Sequence, residues 1–386
     1  MSKRMDKKKR FVFVCSILLF CFLLCVGACA EETDAFAMPE EYEDVKGSLP
    51  DDVIQALPEG TLSEDLDEQG KAMQNMASPA YWLDVISDAL QKGMGDGIRK
   101  MALLCGLLLF AAVLRTIRSS LASEALGAAV DFCCTGAIFA AILHWQSEQL
   151  AACAQFFERL HTLMIAMIPV GGTLLAMGGN ISTAAASSGT MSFFLTVSET
   201  LCARSIMPVT ATCTALIRCR MLSPDASLSG LHNAIRKIYT FTLGLVMTLL
   251  CALLSAQTTL SAAADSTGAR AARLVSSTVI PVVGGAVGET LRTLSAGVQY
   301  LKSIFGIGGI FFLCLLILPT LLSLLITRTV LLLGSGVAEM LGCEREKSLL
   351  SELGGVWGIM IAVVAMSGVM FLLALIIFVR VAVAAA

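Results

Sequence analysis

The sequence predicts an all-α, polytopic membrane protein with about six to eight transmembrane or re-entrant helices. Hydrophobic residues make up 56% of the chain and charged residues only 15%, and the mean hydropathy is +0.79. A soluble protein of 386 residues is less apolar than this, whereas polytopic membrane proteins share this composition. The charged residues are unevenly spread, because the only long polar segment runs from about Glu31 to Lys100. A signal, a polar segment and a membrane domain are therefore expected in that order.

Residues 1–30 have the parts of a secretory signal peptide: a basic start, the apolar run Phe11–Val26 and then small residues. The tripeptide Ala28-Cys29-Ala30 fits a signal-peptidase site. The preceding residues loosely fit a lipobox instead, which would make a lipidated Cys29 the mature N-terminus. A third interpretation is an uncleaved anchor helix. The signal-peptide interpretation places the residues that follow outside the cytoplasm.

Residues 31–100 form the predicted extracytoplasmic segment. Its first part, Glu31–Glu68, is acidic and has few large apolar residues, which predicts a mobile segment or one that a partner orders. From about Pro79 to Lys100, apolar residues recur at i, i+3 and i+4, which predicts an amphipathic helix. With Tyr81 and Trp82 at its start, this helix lies in the outer membrane–water interface or packs on the protein's own exterior loops.

Residues 101–386 form the predicted membrane domain, in which hydrophobic stretches follow one another closely. A stretch near 20 residues crosses the hydrocarbon core, whereas one of 14 to 17 residues only enters it. The shortest stretch becomes long enough if its flanking basic side chains reach the two surfaces. The stretches are Met101–Leu114, Ala125–Trp145, Thr162–Gly178, Met191–Ile217, Ile238–Leu260, Val275–Gly288, Ile304–Ile326 and Gly355–Val379.

Two of these stretches carry similar proline–glycine segments. Pro169-Val170-Gly171-Gly172 resembles Pro281-Val282-Val283-Gly284-Gly285, and each is followed by a second proline, Pro208 or Pro319, after 39 and 38 residues. The pattern predicts a degenerate internal duplication over residues 160–260 and 272–380. Proline removes a helix hydrogen-bond donor and glycine permits non-helical angles, so each segment is a broken, re-entrant helix or an ordinary kinked helix.

The glycines of the second segment also suit close helix packing, because Gly284 and Gly288 are four residues apart and offer a flat face. If both segments enter the membrane and return, the basic loops that contain Arg236 and Arg328 are both cytoplasmic and the C-terminus is outside. The re-entrant model therefore predicts that these two arginines lie on the same side of the membrane.

Ionisable residues within apolar runs are costly and so indicate function or a structural pair. Glu199 and Arg204, five residues apart, form a buried pair or part of a polar pathway. None of these residues recurs between the two repeats, which argues against a duplicated ion site. The candidate residues for helix breaking, packing or a pathway are Pro169, Gly171, Gly172, Glu199, Arg204, Pro281, Gly284, Gly285, Gly288 and Glu289.

The sequence gives no sign of catalysis. Its three histidines are scattered, and the motifs HExxH, GxSxG and GxxxxGK[ST] are missing from the chain. Of the 14 cysteines, four lie in the signal and most others fall in apolar runs, where a small buried hydrophobe is the expected role. We therefore expect no enzyme activity, cofactor, metal or nucleic-acid partner.

The chain resembles the stage III sporulation protein AE family of endospore-forming bacteria. The resemblance covers the whole mature chain and is carried above all by the run Arg273–Glu289, RLVSSTVIPVVGGAVGE, followed by Leu301-Lys302 and Gly306-x-Gly308-Gly309. It implies a multi-pass protein of the mother-cell membrane around the forespore. The partners that it implies are the other proteins of the stage III sporulation A operon, including a cytoplasmic ATPase and ring-forming subunits, and indirectly the stage II sporulation protein Q.

The expected function is that of a membrane subunit in a channel or secretion-like complex that links mother cell and forespore. Such a subunit contacts the lipid bilayer and possesses surfaces for a homo-oligomer. Two alternatives stay open: an autonomous transporter, and a non-conducting scaffold that anchors the complex. Inward-facing polar residues favour the first two of these three functions, whereas a lipid-buried Pro-Gly-Gly region favours a scaffold.

Overall fold

The computed structural model describes residues 42–63, 66–118, 124–177, 181–222, 230–231, 233–250, 252–253, 255–256 and 284–384. Across these ranges the chain is helical and contains no β-strand, as the sequence predicts. The predicted signal peptide and Pro281 lie outside the described residues.

Ten α-helices and one π-helical turn are described. Helices α9 and α10 pair along most of their length, and α4 and α5 pack against α9. In chain order the elements are α1 (Tyr42–Ser48), α2 (Asp51–Ala56), α3 (Leu66–Met76), α4 (Pro79–Arg118), α5 (Glu124–Met177), α6 (Ile181–Ser198), the π-helical turn Glu199–Ala203, α7 (Arg204–Leu222), α8 (residues 233–250), α9 (Gly284–Met340) and α10 (Glu344–Ala384).

Within the described residues, four helical segments are long and apolar enough to cross a membrane: Pro79–Thr116, Ser188–Ile217, Gly308–Met340 and Glu344–Leu375. The predicted class, a helical membrane protein, agrees with this finding. The predicted total of six to eight spans stays a prediction.

Helix α5 joins two hydrophobic stretches that the sequence separates. It has 54 residues and is therefore about 80 Å long, far more than the hydrocarbon thickness. Pro169 lies inside α5, and the helix continues to Met177. Of the two interpretations of this segment, the continuous helix agrees with an ordinary helix that contains a proline, because the fixed φ of proline suits a helix and only one hydrogen bond is lost there.

The first proline–glycine segment is instead a packing position. Gly171 is buried, and a Cβ atom at Gly172 would lie 3.0 Å from the Ser188 hydroxyl oxygen of α6. Helices α5 and α6 therefore form a hairpin. The residues at the matching positions of the second copy, from 284 to 300, belong to the single helix α9. The predicted duplication is thus not confirmed by the fold.

A turn of three residues connects α9 and α10. Gly342 adopts φ +71°, a left-handed conformation that glycine adopts at little cost, and the Cys343 amide donates a 2.8 Å hydrogen bond to the Ala338 carbonyl. The two helices then run antiparallel. Their large side chains, among them Trp357 and Phe371, are buried. This hairpin is the centre of the hydrophobic core.

An ion pair fixes this turn to two earlier helices. The Glu346 side chain is 1% exposed, and its Oε2 lies 3.3 Å from Nη2 of Arg115 in α4. Thr135 of α5 donates a 2.8 Å hydrogen bond to Glu346 Oε1, and Arg115 Nη1 donates one of 3.0 Å to the Gly342 carbonyl. A buried carboxylate needs such partners, so this contact holds α4, α5 and α10 together at one end of the bundle.

Residues 42–63 of the acidic N-terminal segment pack against the long helices, whereas the sequence predicts a segment that is mobile or that a partner orders. Val45 and Val53 are buried in the core, and Asp52 forms a 2.9 Å ion pair with Arg159 of α5. The Tyr81 hydroxyl also donates a 2.7 Å hydrogen bond to the Ala56 carbonyl. Val45, Leu49 and Val53 are the apolar residues of this segment that are buried in the core.

Candidate membrane conduit

The predicted pair Glu199 and Arg204 lies at the π-helical turn between α6 and α7. Glu199 is its first residue, and Arg204, which is exposed, is the first residue of α7. Pro208 has no N–H to bond the Arg204 carbonyl, which favours irregular backbone at this point.

The second proline–glycine segment is described only in part. Gly284, Gly285, Gly288 and Glu289 all belong to α9. Their proposed role in packing or in a pathway stays a prediction. The structure thus does not bring the two predicted groups of site residues together into one site.

A buried set of polar side chains, which the sequence did not reveal, connects three helices. We call this set the polar seam; it consists of Gln146, Gln149, Thr214, Ser323 and Thr327. Gln146 Nε2 donates a 2.8 Å hydrogen bond to the Thr214 hydroxyl of α7. Gln149 Nε2 lies 3.1 Å from the Ser323 hydroxyl and 3.4 Å from the Thr327 hydroxyl of α9. Paired amides and hydroxyls hold these helices in one arrangement, because unpaired polar groups are costly in an apolar interior.

Helix α7 is also joined to α8, by hydroxyl groups. The Ser205 hydroxyl oxygen lies 2.6 Å from the Tyr239 hydroxyl oxygen, and Ser205 also donates to the Leu201 carbonyl within the π-helical turn. The irregular turn is therefore connected to a neighbouring helix by side chains. This contact lies beside the predicted pair Glu199 and Arg204.

Helix α4 packs along α9 through its N-terminal half. The rings of Trp82 and Phe311 have centroids 5.9 Å apart. Fifteen residues later on both helices, a Cβ atom at Gly97 would lie 2.5 Å from Cγ2 of Ile326. Gly93 lies one turn earlier against the same isoleucine side chain. The two glycines thus let α4 approach α9 closely over its whole N-terminal half.

The opposite side of this half of α4 carries ionised side chains. We call it the charged face; it consists of Asp84, Asp88, Lys92, Asp96 and Arg99, all of which are exposed. Asp88 Oδ2 lies 2.7 Å from Lys92 Nζ, and Asp96 Oδ2 lies 2.6 Å from Lys100 Nζ. Opposite charges four residues apart are neighbours on a helix. The face is therefore a ladder of ion pairs along the helix axis.

The charged face ends at a polar pocket between α4 and α5. Lys100 is buried, and its Nζ lies 4.0 Å from Glu148 Oε2. Glu148 Oε1 in turn lies 3.3 Å from His144 Nε2. Asp96 and Arg99 also line this pocket, whose volume is about 210 Å³. The charged surface of α4 therefore continues onto α5.

Helix α8 presents an apolar face to its exterior. This α8 apolar face consists of Ile238, Phe241, Leu245 and Leu249, which are all exposed. Its inner side contacts α10: a Cβ atom at Gly244 would lie 3.0 Å from Met366 Cε. Gly368 of α10 lies against Ile317 of α9, with a Cβ-to-Cδ1 distance of 2.6 Å. These contacts place α8 on the side of α10, at the level of the α9 residues that pack against α4.

The comparisons with known proteins agree with the resemblance in the sequence. The family model for stage III sporulation protein AE matches residues 63–382. The chain belongs to this family. No curated protein and no solved structure matches it. The family implies a role in stage III of sporulation, and the matched region includes the charged face, the polar seam and the α8 apolar face.

Proposed function

We propose that this protein is a membrane subunit of a channel or secretion-like complex between mother cell and forespore. Further subunits, including copies of the same chain, complete a water-filled conduit along the charged face of α4. The protein lies in the mother-cell membrane around the forespore. It works with other products of the stage III sporulation A operon, among them a cytoplasmic ATPase that supplies energy and ring-forming subunits, and indirectly with the stage II sporulation protein Q. It is not itself an enzyme.

The observation that carries this proposal is the position of the charged face. The candidate span in α9 is the most apolar of the four, with a hydropathy of 2.7, and residues 309–326 contain no charged side chain. About 20 such residues match the hydrocarbon thickness. Helix α8 packs on α10 at the level of Ile317 of α9, which supports a lipid-facing surface at this depth.

The N-terminal half of α4 packs beside the same apolar residues of α9, from Phe311 to Ile326. Its ion pairs would therefore lie at the depth of the hydrocarbon. Ionised side chains at that depth face a watery cavity or other polar groups, because their burial in lipid costs several kcal/mol. A water-filled conduit on the α4 side of the bundle satisfies this requirement. Lipid on the α8 side covers the exposed side chains of the α8 apolar face.

The two alternatives make different predictions. An autonomous transporter keeps its activity in cells that lack the ATPase and the ring-forming subunits. A scaffold keeps the complex assembled even when the charged face is made apolar. The continuous helix at Pro169 gives no support to a broken-helix site, which would have favoured a channel subunit and an autonomous transporter alike.

Thiol labelling in sporulating cells tests whether the charged face is wet. Cysteines replace Asp88 and Phe241, one at a time, in a chain whose exposed Cys133 and Cys219 are changed to serine. The two positions are matched, since Phe241 is 71% exposed and the Asp88 side chain 63% exposed. A charged thiol reagent is added to permeabilised cells, so that it reaches both aqueous sides. The fraction of labelled protein is measured by a gel shift and compared with that of the parent chain.

We expect the cysteine at position 88 to react and the cysteine at position 241 to stay unreactive, because a thiolate forms only in contact with water. An unreactive cysteine at position 88 would mean that protein or lipid covers the charged face, and the conduit would be excluded. Reaction at both positions would show that α8 does not face lipid, and the depth assignment would be wrong.

A further inference from the structure

Two arginine side chains from different helices meet at one point of the bundle. Arg236 belongs to α8 and Arg328 to α9. A Cβ atom at Gly358 of α10 would lie 3.4 Å from Nη2 of Arg236 and 3.4 Å from Cζ of Arg328. Because Gly358 has no side chain, both guanidinium groups fit into the junction of the three helices. A larger residue at this position would fill the space between them.

The two guanidinium groups repel each other, and within the described ranges no carboxylate forms an ion pair with either of them. The Nε of Arg328 is buried without a hydrogen-bond acceptor. The indole Nε1 of Trp357, adjacent to Gly358 in the chain, is also buried without one. Buried donors without acceptors are costly, so this cluster of positive charge and unused donors is suited to an anion.

The surroundings of the cluster identify the kind of anion. Residues 309–326 of α9 carry no charge, and Arg328 follows two residues after that run ends. Ile238 and Phe241, less than two turns from Arg236, are 65% and 71% exposed. The cluster thus lies where an apolar surface begins. A phospholipid carries a phosphate next to its acyl chains, just as the basic cluster lies next to the apolar surface. Guanidinium groups bind phosphate oxygens in pairs.

We propose that Arg236 and Arg328 together bind the phosphate of an anionic phospholipid, whose acyl chains lie on the α8 apolar face. Basic pockets between membrane helices bind such head groups. The bound phosphate neutralises the repulsion between the two arginines and so fixes α8 to the α9–α10 hairpin. This site is separate from the charged face of α4, and it does not depend on whether the protein conducts.

Thermal unfolding of the purified full-length protein tests the site. The protein is held in a zwitterionic detergent and titrated with phosphatidylglycerol, with phosphatidylcholine, or with inorganic phosphate alone. We expect phosphatidylglycerol to raise the midpoint of unfolding in a saturable way, and the other two probes to have no such effect. Equal stabilisation by inorganic phosphate would assign the site to a soluble ligand and overturn the lipid proposal.

The variants Arg236→Gln and Arg328→Gln should each weaken the apparent affinity for phosphatidylglycerol by more than roughly tenfold, because each removes one of the two groups that hold the phosphate. Lys237→Gln is the matched control: Lys237 is exposed and adjacent to Arg236, and its loss should weaken the affinity by roughly fivefold or less. If the lysine and arginine variants lose affinity equally, the lipid is attracted by general charge and the site is excluded.

A second readout keeps the test valid if one variant folds poorly. Without lipid, removal of one arginine relieves the repulsion, so Arg236→Gln should unfold at the same temperature as the native chain or a higher one. Arg236 is half-buried, and this substitution is the milder of the two. A lower midpoint without lipid, together with an unchanged lipid response, would show a purely structural role for the arginines and contradict the proposal.

Discussion

The N-terminal half of α4 and helix α8 lie beside the same part of the α9–α10 hairpin but expose opposite kinds of surface. Helix α4 carries the charged face beside exposed apolar residues such as Leu83 and Ile98, whereas the outward side of α8 exposes only isoleucine, phenylalanine and leucine at its four positions of the α8 apolar face. A uniform lipid environment does not suit both surfaces. The difference indicates that the bundle has a wet side and a lipid side at one depth, which is the arrangement of a subunit that contributes one wall of a channel.

The sequence by itself favours another interpretation, in which residues 79–100 stay outside the membrane and residues 101–114 cross it. The exposed side chains of Leu109 and Phe110 are compatible with that interpretation. The two interpretations differ in which part of α4 lies deepest in the hydrocarbon, namely the charged face or the exposed apolar residues that follow Lys100. Substitutions with charged residues distinguish them.

The largest effect is expected for Phe241→Asp. An aspartate in the hydrocarbon costs about 3 kcal/mol, so the variant should insert poorly and its level in the membrane fraction should fall severalfold. Quantitative immunoblotting of membranes from sporulating cells measures this level. Phe110→Asp is the matched substitution, since Phe110 is 61% exposed and Phe241 is 71% exposed.

If the hydrocarbon lies at the depth of the α8 apolar face, Phe110→Asp lowers the level less than Phe241→Asp. The reverse order would place the membrane around residues 101–114 and the charged face of α4 outside it. The conduit proposal would then lose its basis, whereas the phosphate site between Arg236 and Arg328 would be tested independently by the lipid titration.

Much of the helical content follows from the sequence, but the contacts between distant helices do not. The spacing of apolar residues predicts an amphipathic helix from about Pro79, and the structure has a helix that begins at this residue. The sequence does not reveal that this helix continues past Lys100, nor that Gly93 and Gly97 fit around Ile326. Such a fit depends on the shapes of two surfaces more than 200 residues apart in the chain, which no local pattern records.

The second-largest effect is expected for Gly97→Ala, which disturbs the fit of α4 around Ile326. Its Cβ would lie 2.5 Å from Ile326 Cγ2, an atom that is fixed to the isoleucine Cβ and moves only with it. Overpacking of this kind costs about 1–3 kcal/mol, so the midpoint of thermal unfolding in detergent should fall. Gly95→Ala is the control, because no atom lies within 4 Å of its Cβ position and alanine favours a helix by about 1 kcal/mol.

A double variant shows whether the loss arises from the predicted contact. Ile326→Ala removes the obstructing atom, so Gly97→Ala should cost less in that background than in the native chain. Equal costs in both backgrounds would mean that α4 does not pack on α9 at Gly97. The charged face would then no longer be tied to the depth of the apolar span.

The candidate site was predicted less well than the fold, for identifiable reasons. Proline and glycine at positions 169 to 172 predicted a broken helix, but a helix tolerates one missing hydrogen bond where its neighbours pack well. Arg236 and Arg328 meet at Gly358, but the side of the membrane that the re-entrant model assigns to them stays a prediction. Polar pairs such as Gln146 and Thr214 leave no signature in sequence, since single amides and hydroxyls are common everywhere.

The smallest effect on stability, and the most informative one on function, is expected for Asp88→Leu combined with Lys92→Leu. Both side chains are well exposed, so the loss of their ion pair should change the free energy of unfolding by no more than about 0.5 kcal/mol, and the membrane level should stay normal. If the charged face lines a conduit, two leucines make its wall apolar and favour dewetting of the pathway. The yield of heat-resistant spores should therefore fall while the protein still accumulates.

The swapped variant, Asp88→Lys with Lys92→Asp, keeps an ion pair on the same turn and should restore most of the yield. Normal spore formation by the double leucine variant would favour a scaffold, since an anchoring subunit requires the α9–α10 hairpin but no polar wall at this depth.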